Sequence, residues 1–366
     1  MKKTLLTLAW VGLGINAHAQ SSVTLYGRID SGVEYQTSVP NSAHSSSSRL
    51  RVESGDLGSN WLGMKGVEDL GGGNIAVFQL EDGLNLANGT SSGGKAFSRI
   101  ADVGLSDDTY GTILLGNQLW LSSNTLWVFD PLCQSDWSSA SLLRGRNWPI
   151  TSNSVTWESP TWSRLNIITM DTLGNQTRFN AGTLNPNGTT LTPGRSDGIA
   201  VTYTTNRFEL IGMFDEMRDG NGSFSDVFAY SQEYSAGMNL YLGNFKLQGV
   251  YQASHANAVL AGAPTLAQQE WAAVTYTVNR SLSVIGAAYH VDTNGSVGGA
   301  GHASLYTLVA KYHLSKRTVL GFQFATVHNS SGADFGLKPN YPVAGSEDPL
   351  PGHSQSGMYL SLQHAF

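Results

Sequence analysis

The sequence predicts an all-β fold, an antiparallel barrel that crosses a membrane with its strands. Three observations carry this. Apolar and polar residues alternate with a period of two along most of the chain. Short joints interleave with long polar segments. An export segment comes first, and after it no apolar run is long enough for a helix to cross a bilayer.

Composition agrees. Of 366 residues, 13% are charged, 40% hydrophobic and 10% aromatic, with 42 glycines and one cysteine. The charged share is about half the usual one, and the chain is too apolar for disorder. A formal charge of −6 and a pI near 5.8 argue against a basic nucleic-acid surface, so no nucleic-acid partner is expected. One cysteine argues against a disulfide scaffold or a cysteine-rich zinc module.

The first element is an address. Met1-Lys2-Lys3 is a positive start, Leu5–Ile15 an apolar stretch, and Ala17-His18-Ala19 a small-residue cleavage site. Residues 1–19 are therefore expected to be a signal peptide, and 20–366 the barrel domain. Losing Lys2 and Lys3 leaves 19 basic against 27 acidic residues, a formal charge of −8. An exported chain without a spanning helix can still span a bilayer by closing a barrel, because closure satisfies every backbone N–H and C=O.

The alternating runs succeed one another along the chain. Val23, Leu25, Ile29, Val33 and Tyr35 oppose Thr24, Tyr26, Arg28, Asp30 and Glu34. Ile199, Val201 and Tyr203 oppose Ala200, Thr202 and Thr204. Tyr234–Leu242 and Phe245–Gln252 alternate in the same way. Tyr306, Leu308, Ala310, Tyr312 and Leu314 oppose Thr307, Val309, Lys311 and His313. The last run sets Met358, Leu360, Leu362, His364 and Phe366 against Tyr359, Ser361, Gln363 and Ala365.

Short joints fall at Asp69–Gly73, Asp107–Gly111, Pro160–Arg164, Thr205–Arg207, Gly243-Asn244, Asn279–Ser281 and Ser315–Arg317. Between them lie polar segments near 37–59, 83–97, 118–151, 173–197, 217–231, 254–267, 292–302 and 328–356. Seven short and eight long connections make about sixteen strands. Short turns on one rim and long loops on the other is how bacterial outer-membrane barrels are built. The apolar final strand, ending at Phe366, suits ring closure against Val23–Tyr35.

The third long segment, Gln118–Thr151, holds Trp120, Trp127, Phe129, Asp130, Asp136, Trp137, Arg144, Arg146 and Trp148. That is too aromatic for a solvated flap. It is expected to fold into the lumen as a constriction loop pinned to the inner wall, with Asp130 and Asp136 lining the opening and Arg144 and Arg146 at the constriction beside them. The inward parity of the wall strands adds Arg28, Lys65, Glu81 and Arg99. Opposed charges across a narrow gap would set up a transverse field that filters ions. Cys133 lies in the same loop and is expected to be a free thiol. The histidines show no metal-ligand spacing, so no metal or cofactor is expected, and there is no Gly-x-Ser-x-Gly elbow.

Several stretches carry a resemblance. They are Ser22-Val23-Thr24-Leu25-Tyr26-Gly27, Lys65-Gly66-Val67-Glu68-Asp69-Leu70-Gly71-Gly72-Gly73, Phe78-Gln79-Leu80-Glu81, Val103-Gly104-Leu105-Ser106, Leu314-Ser315-Lys316-Arg317-Thr318 and His364-Ala365-Phe366. In order and spacing they resemble the trimeric general porins of the Gram-negative outer membrane, of the neisserial and beta-proteobacterial type. The resemblance implies a 16-stranded barrel with short periplasmic turns, long extracellular loops and an inward third loop. It implies a homotrimer passing ions and small hydrophilic solutes, set among outer-membrane lipid and lipopolysaccharide. It implies no enzymatic activity. Phe366 resembles the terminal signal read by the barrel-assembly machinery. Lys65 and Arg99 match basic positions of the family's eyelet, and Glu81 an inward carboxylate.

The chain also departs from the pattern. Trp61 on the lumen wall stands where an arginine is usual, and Asn117 where Gly-Arg-Gln is common. Phe129-Asp130-Pro131-Leu132 replaces a Pro-Glu-Phe-type stretch. These changes weaken the basic side, so the sequence leans towards cation preference or little selectivity. A solute-specific channel (or a surface adhesin and phage receptor using the long loops) and a barrel-embedded enzyme are the competing readings. The first needs a continuous track along the lumen, the second a convergent catalytic set on one rim.

Overall fold

The computed structural model describes residues 22–42, 45–92, 94–174, 183–184, 190–191, 194–297, 300–339 and 347–366. The expected signal peptide lies outside the described residues.

Strand pairing runs unbroken round a closed ring. The first strand, Ser22–Ser42, pairs on one side with Gln355–Ala365 and on the other with two successive segments, Ser45–Ser54 and Trp61–Gly71. Those two segments form one barrel strand, interrupted by residues 55–60. From there the ring continues through Asn74–Asn85, Ile100–Asp107, Gly111–Leu119, Ile150–Glu158 and Leu165–Thr172. It goes on through Ser196–Thr204, Phe208–Met217, Gln232–Leu242, Phe245–His255, Leu266–Thr277, Leu282–Thr293, Gly301–His313 and Thr318–Asn329. Thr318–Asn329 pairs with the last strand and closes a sixteen-strand antiparallel barrel.

The seam is sealed by the chain end. Gly27 and Phe366 exchange backbone hydrogen bonds, 3.1 Å in each direction. Gly27 has to lack a side chain, because a Cβ there would lie 2.6 Å from the Phe366 ring. The strand ends at Ala365, and Phe366 still completes the ladder.

The outward parity is as the alternation requires. Val23, Leu25, Tyr234, Tyr306, Leu308, Leu360 and Leu362 are all exposed on the outer wall. On the first strand, Asp30, Glu34 and Gln36 point inward and are fully buried.

The structure differs from expectation in two places. The first outer segment, expected as a polar loop over 37–59, is mostly strand. Residues up to Ser42 and from Ser45 extend the first hairpin, and among the described residues of this segment 55–60 leave the ladder. There Asn60 donates to the Asp30 carbonyl at 3.0 Å, which turns the excursion into the barrel. The inner wall is also not uniformly wettable. Over the second half of the ring it presents Trp271, Tyr289, Leu305, Val327 and Tyr359, all buried. The reason is that a loop packs there, so water does not.

Leu308 lies mid-strand on the outer face. Leu308→Arg is expected to destabilise the barrel by about 2–4 kcal/mol in equilibrium unfolding from lipid vesicles. Ser283→Arg, on the inward parity beside Lys311, is expected to cost far less, because its charge meets water.

Candidate functional site

The third outer segment enters the lumen. Gln118 and Leu119 end one wall strand, and Ile150 and Thr151 start the next. Between them run the short helix Leu121–Thr125, the 3-10 turn Leu126–Phe129 and the short helix Ser139–Leu142. Trp120, Leu121, Leu126, Phe129, Leu132, Trp137, Leu142 and Leu143 have almost no exposed surface. Each such side chain contributes roughly 1.5–3 kcal/mol when buried. The loop therefore has a hydrophobic core of its own, shared with the apolar half of the wall. Gly357 makes room for it, because a Cβ there would fall 2.8 Å from the Trp137 ring.

Wall side chains then satisfy the loop's backbone, which would otherwise be stranded away from water. Asn239, Lys246 and Gln248 all donate to the Val128 carbonyl at 3.1 Å. Trp271 donates to the Phe129 carbonyl at 3.0 Å, Gln269 to that of Ser139 at 2.9 Å, and Thr307 to that of Trp137 at 2.8 Å.

The arginines of the loop are buried anchors. Arg146 is fully buried, donates to Asp215 at 2.6 Å and bonds Ser231 at 2.9 Å. Arg144 pairs with Asp334 and, at 3.3 Å, with Asp348, and lies 4.5 Å over the Phe335 ring. Both were expected at an opening, and neither faces one. The carboxylates differ from expectation too. Asp130 is buried and accepts from the backbone N–H of Leu132 at 2.7 Å and of Ser139 at 3.1 Å. Burial pushes its carboxyl up, against the pull of those donors. Asp136 holds Lys338 at 2.8 Å.

The wall residues lie on the opposite side. Arg99 bonds Glu81 at 2.5 Å, so each spends its charge on the other. Tyr26 donates to Glu81 at 3.2 Å and packs edge-on against Trp61 at 5.0 Å. Lys65 is exposed and sits 5.4 Å over the Tyr26 ring. Arg28 donates to the Ser59 carbonyl at 2.9 Å. A cavity of about 90 Å³, lined by Gln79, Asp102, Leu114, Leu121, Asn124 and Thr156 among others, lies between the first helix of the loop and the neighbouring wall strands.

Two further cations, Lys246 and Lys311, join the site from late strands that the sequence reading did not single out. Cys133, exposed and in the left-handed backbone region, lies at the turn midway along the loop, between buried Leu132 and Gln134. Burial within the barrel raises its thiol, while Lys311, Arg28 and Lys246 pull it down and Asp130 opposes them. The inward parity of Lys246 and Lys311 was legible in their strands. Their place near Cys133 was not, because it depends on where the loop docks.

A second cluster surrounds Lys338, in the last outer loop. It contacts Asp56, Asp136 at 2.8 Å, Glu34 at 3.3 Å and Glu53 at 3.9 Å. Burial alone would lower the ammonium, but these carboxylates hold it well above its ordinary range. Burial pushes Asp56 up, against the pull of Lys338. Beside it, Glu347 takes Arg49 and Arg51, both at 2.8 Å. Burial would raise Glu347, yet the two guanidinium groups bring it down to about 2. Among the described residues no group of histidine, cysteine or carboxylate side chains could hold a metal ion.

Two outcomes are expected. Arg146→Met leaves Asp215 buried without its partner, at a cost of about 3–5 kcal/mol. Limited proteolysis should then cut within 120–149, and Arg146→Met with Asp215→Leu should restore protection. Because the Glu347 pKa is depressed on folding, its stabilisation is full above the ordinary carboxylate value and is lost as pH falls towards 2. Hydrogen exchange in 45–54 and 347–356 should rise over that window.

Known proteins share this architecture. A family model described as Gram-negative porin matches residues 7–332. An outer membrane porin protein of Bordetella pertussis is 36% identical over 178 residues, 44% of this chain and 46% of that one. In that alignment the chain spans about half the relative's length. Outer membrane porin protein 32 of Delftia acidovorans is 28% identical over the full length of both. A solved structure, an anion-selective porin from Comamonas acidovorans, superposes with a TM-score of 0.77 over 95% of this chain and 100% of that one, at 22% identity.

Proposed function

The chain belongs to the Gram-negative porin family, and on that premise we propose how its channel is narrowed and which ions it prefers. It is an outer-membrane barrel with a channel for passive diffusion of ions and small hydrophilic solutes. Residues 20–366 form the exported barrel, after removal of 1–19. Residues 118–151 are the constriction segment, and the narrowest point lies between Cys133 and the wall around Arg28, Lys246 and Lys311.

The ion preference is for anions. What supports this is the pairing of charge around the loop: Lys246 reaches the Val128 carbonyl of the constriction segment at 3.1 Å, and Arg28 and Lys311 share the inward parity of the wall, while the loop's own carboxylates already have partners. The acids expected to line the opening are spent elsewhere: Asp130 on backbone N–H groups, Asp136 on Lys338 and Glu81 on Arg99. Lys65 adds a further exposed cation on the early wall. The lean of the sequence towards cation preference or little selectivity rests on the departures at Trp61, Asn117 and Phe129-Asp130-Pro131-Leu132; we give the charge at the gap more weight, because permeation reads the charge there. The anion-selective relative is in keeping with this.

The chain acts as a conduit and needs no catalyst or cofactor. It assembles as a homotrimer through the outer wall of the early strands. Val23, Leu25, Val103, Leu105, Ile113 and Leu115 make that face aliphatic and exposed. The opposite face carries Tyr234, Tyr251, Tyr276, Tyr306 and Phe322, as lipid-facing belts do. That face meets outer-membrane lipid and lipopolysaccharide. Phe366 at the seam serves the assembly machinery as a terminal signal.

Planar-bilayer recording tests this reading. Triple conductance steps scaling with bulk salt, and a reversal potential of the anion-selective sign, are expected. Arg28→Ala with Lys311→Ala should shift permeability towards cations, by about fivefold per charge at low salt, since a unit charge about 4 Å away in water is worth about 1 kcal/mol. Lys65→Ala with Arg99→Ala should shift it less, because Arg99 is neutralised by Glu81. The assignment fails if the first pair leaves the reversal potential unmoved.

A further inference from the structure

The last outer loop reaches into the barrel and binds the constriction segment at several points. Leu337 and Phe335 are fully buried there. The Leu337 carbonyl accepts from the Trp137 N–H at 3.0 Å and from the Ser141 hydroxyl at 2.6 Å. The Gln355 side chain accepts from the Leu337 N–H at 2.9 Å, which fixes this stretch to the last wall strand. Arg144 of the constriction segment is held by Asp334 and Asp348 of the same outer loop, and lies over the rings of Phe228 and Phe335, which pack against each other.

Lys338 completes the connection. One ammonium joins four pieces of chain: Glu34 on the first strand, Glu53 on the next segment, Asp56 in the inward excursion and Asp136 in the constriction segment. Of these four acids, only Asp136 moves with the constriction segment. Asp136 adjoins Trp137, whose ring packs on the wall at Gly357. The contact therefore acts on the loop at the point where it meets the barrel, only three residues from Cys133.

We propose that the last outer loop is a clamp on the constriction segment, with Lys338 and Arg144 as positioning residues that set the aperture and hold it under voltage. The proposal rests on the channel reading but is separable from it. The apolar core of the loop gives it a resting place on the wall, and that contact has little directional content. The ion pairs and the two bonds to the Leu337 carbonyl fix its height and rotation. Neither Lys338 nor Arg144 faces the ions that pass. Their effect on conduction is carried by the position of the segment that contains Cys133.

Cys133 is the one cysteine in the chain, so it reports the position of the segment without engineering. The experiment uses the full-length, membrane-extracted assembly. Its readouts are the voltage at which single channels close and the rate at which Cys133 reacts with a small charged methanethiosulfonate. Lys338→Met should lower the closing voltage, add open-channel noise and speed thiol reaction by about tenfold or more, as expected when a segment's local opening becomes easier. The barrel should keep its heat-resistant folded form. Lys338→Arg should restore most of the wild-type behaviour, which a purely space-filling role would not require. Asp136→Asn removes only the loop's half of the contact and should reproduce the change, and combining it with Lys338→Met should add little. Wild-type closing voltage and thiol rate in both single variants would overturn the clamp. So would failure of both to fold, because the cluster would then serve the barrel and not the segment. A wild-type protein that conducts nothing would instead remove the channel reading on which the clamp rests.

Discussion

A backbone that lies in hydrocarbon has no water to bond with, so each of its N–H and C=O groups must find a partner in the chain. For a sheet, that demand is met only by closure, and closure fixes most of the architecture. It sets Gln355–Ala365 beside the first strand and brings Phe366 onto Gly27. It also forces alternate side chains into an enclosed space. A ring of sixteen strands encloses more volume than wall side chains can fill. The protein occupies part of that volume with its own chain, and the part left over is the channel.

How the volume is filled explains the asymmetry of the wall. Where the constriction segment docks, inward residues are Trp271, Tyr289, Leu305 and Val327. Where it does not, they are Lys65, Gln79, Glu81 and Arg99. The docked half obeys the rules of a protein core, with buried aromatics and paired charges. The open half obeys the rules of a solvated surface. A single strand can serve both, as Gly301–His313 does with buried Leu305 and Val309 ahead of half-buried Lys311.

The distribution of charge has the same origin. Carboxylates that enter the docked region are costly unless matched, and there Asp130, Asp136 and Asp215 have backbone donors, a lysine and an arginine. They are removed from the gap by being paired. In the proposed channel the cations around Cys133 keep their influence on the gap, so that a chain acidic in sum presents a basic narrowing.

Local sequence was enough to read the barrel, its strand number, the rhythm of short and long connections and the inward course of residues 118–151. These are legible because period-two alternation is a local property, and an excess of aromatics in a loop has few physical explanations. Lys65, Glu81 and Arg99 could be set on the inner face by parity alone. Parity gives the face of a residue but not its partner across the lumen, since partners such as Arg144 and Asp334 are separated by 190 residues. It took the packed, closed ring to make Asp130 and the two loop arginines structural and to stand Lys311 and Lys246 near Cys133. The same packing ties the last loop to the third through Lys338, which lies in a segment with no periodic signal. The reason is that burial and pairing in an enclosed lumen depend on which segments meet there, and that is settled by closure and packing together.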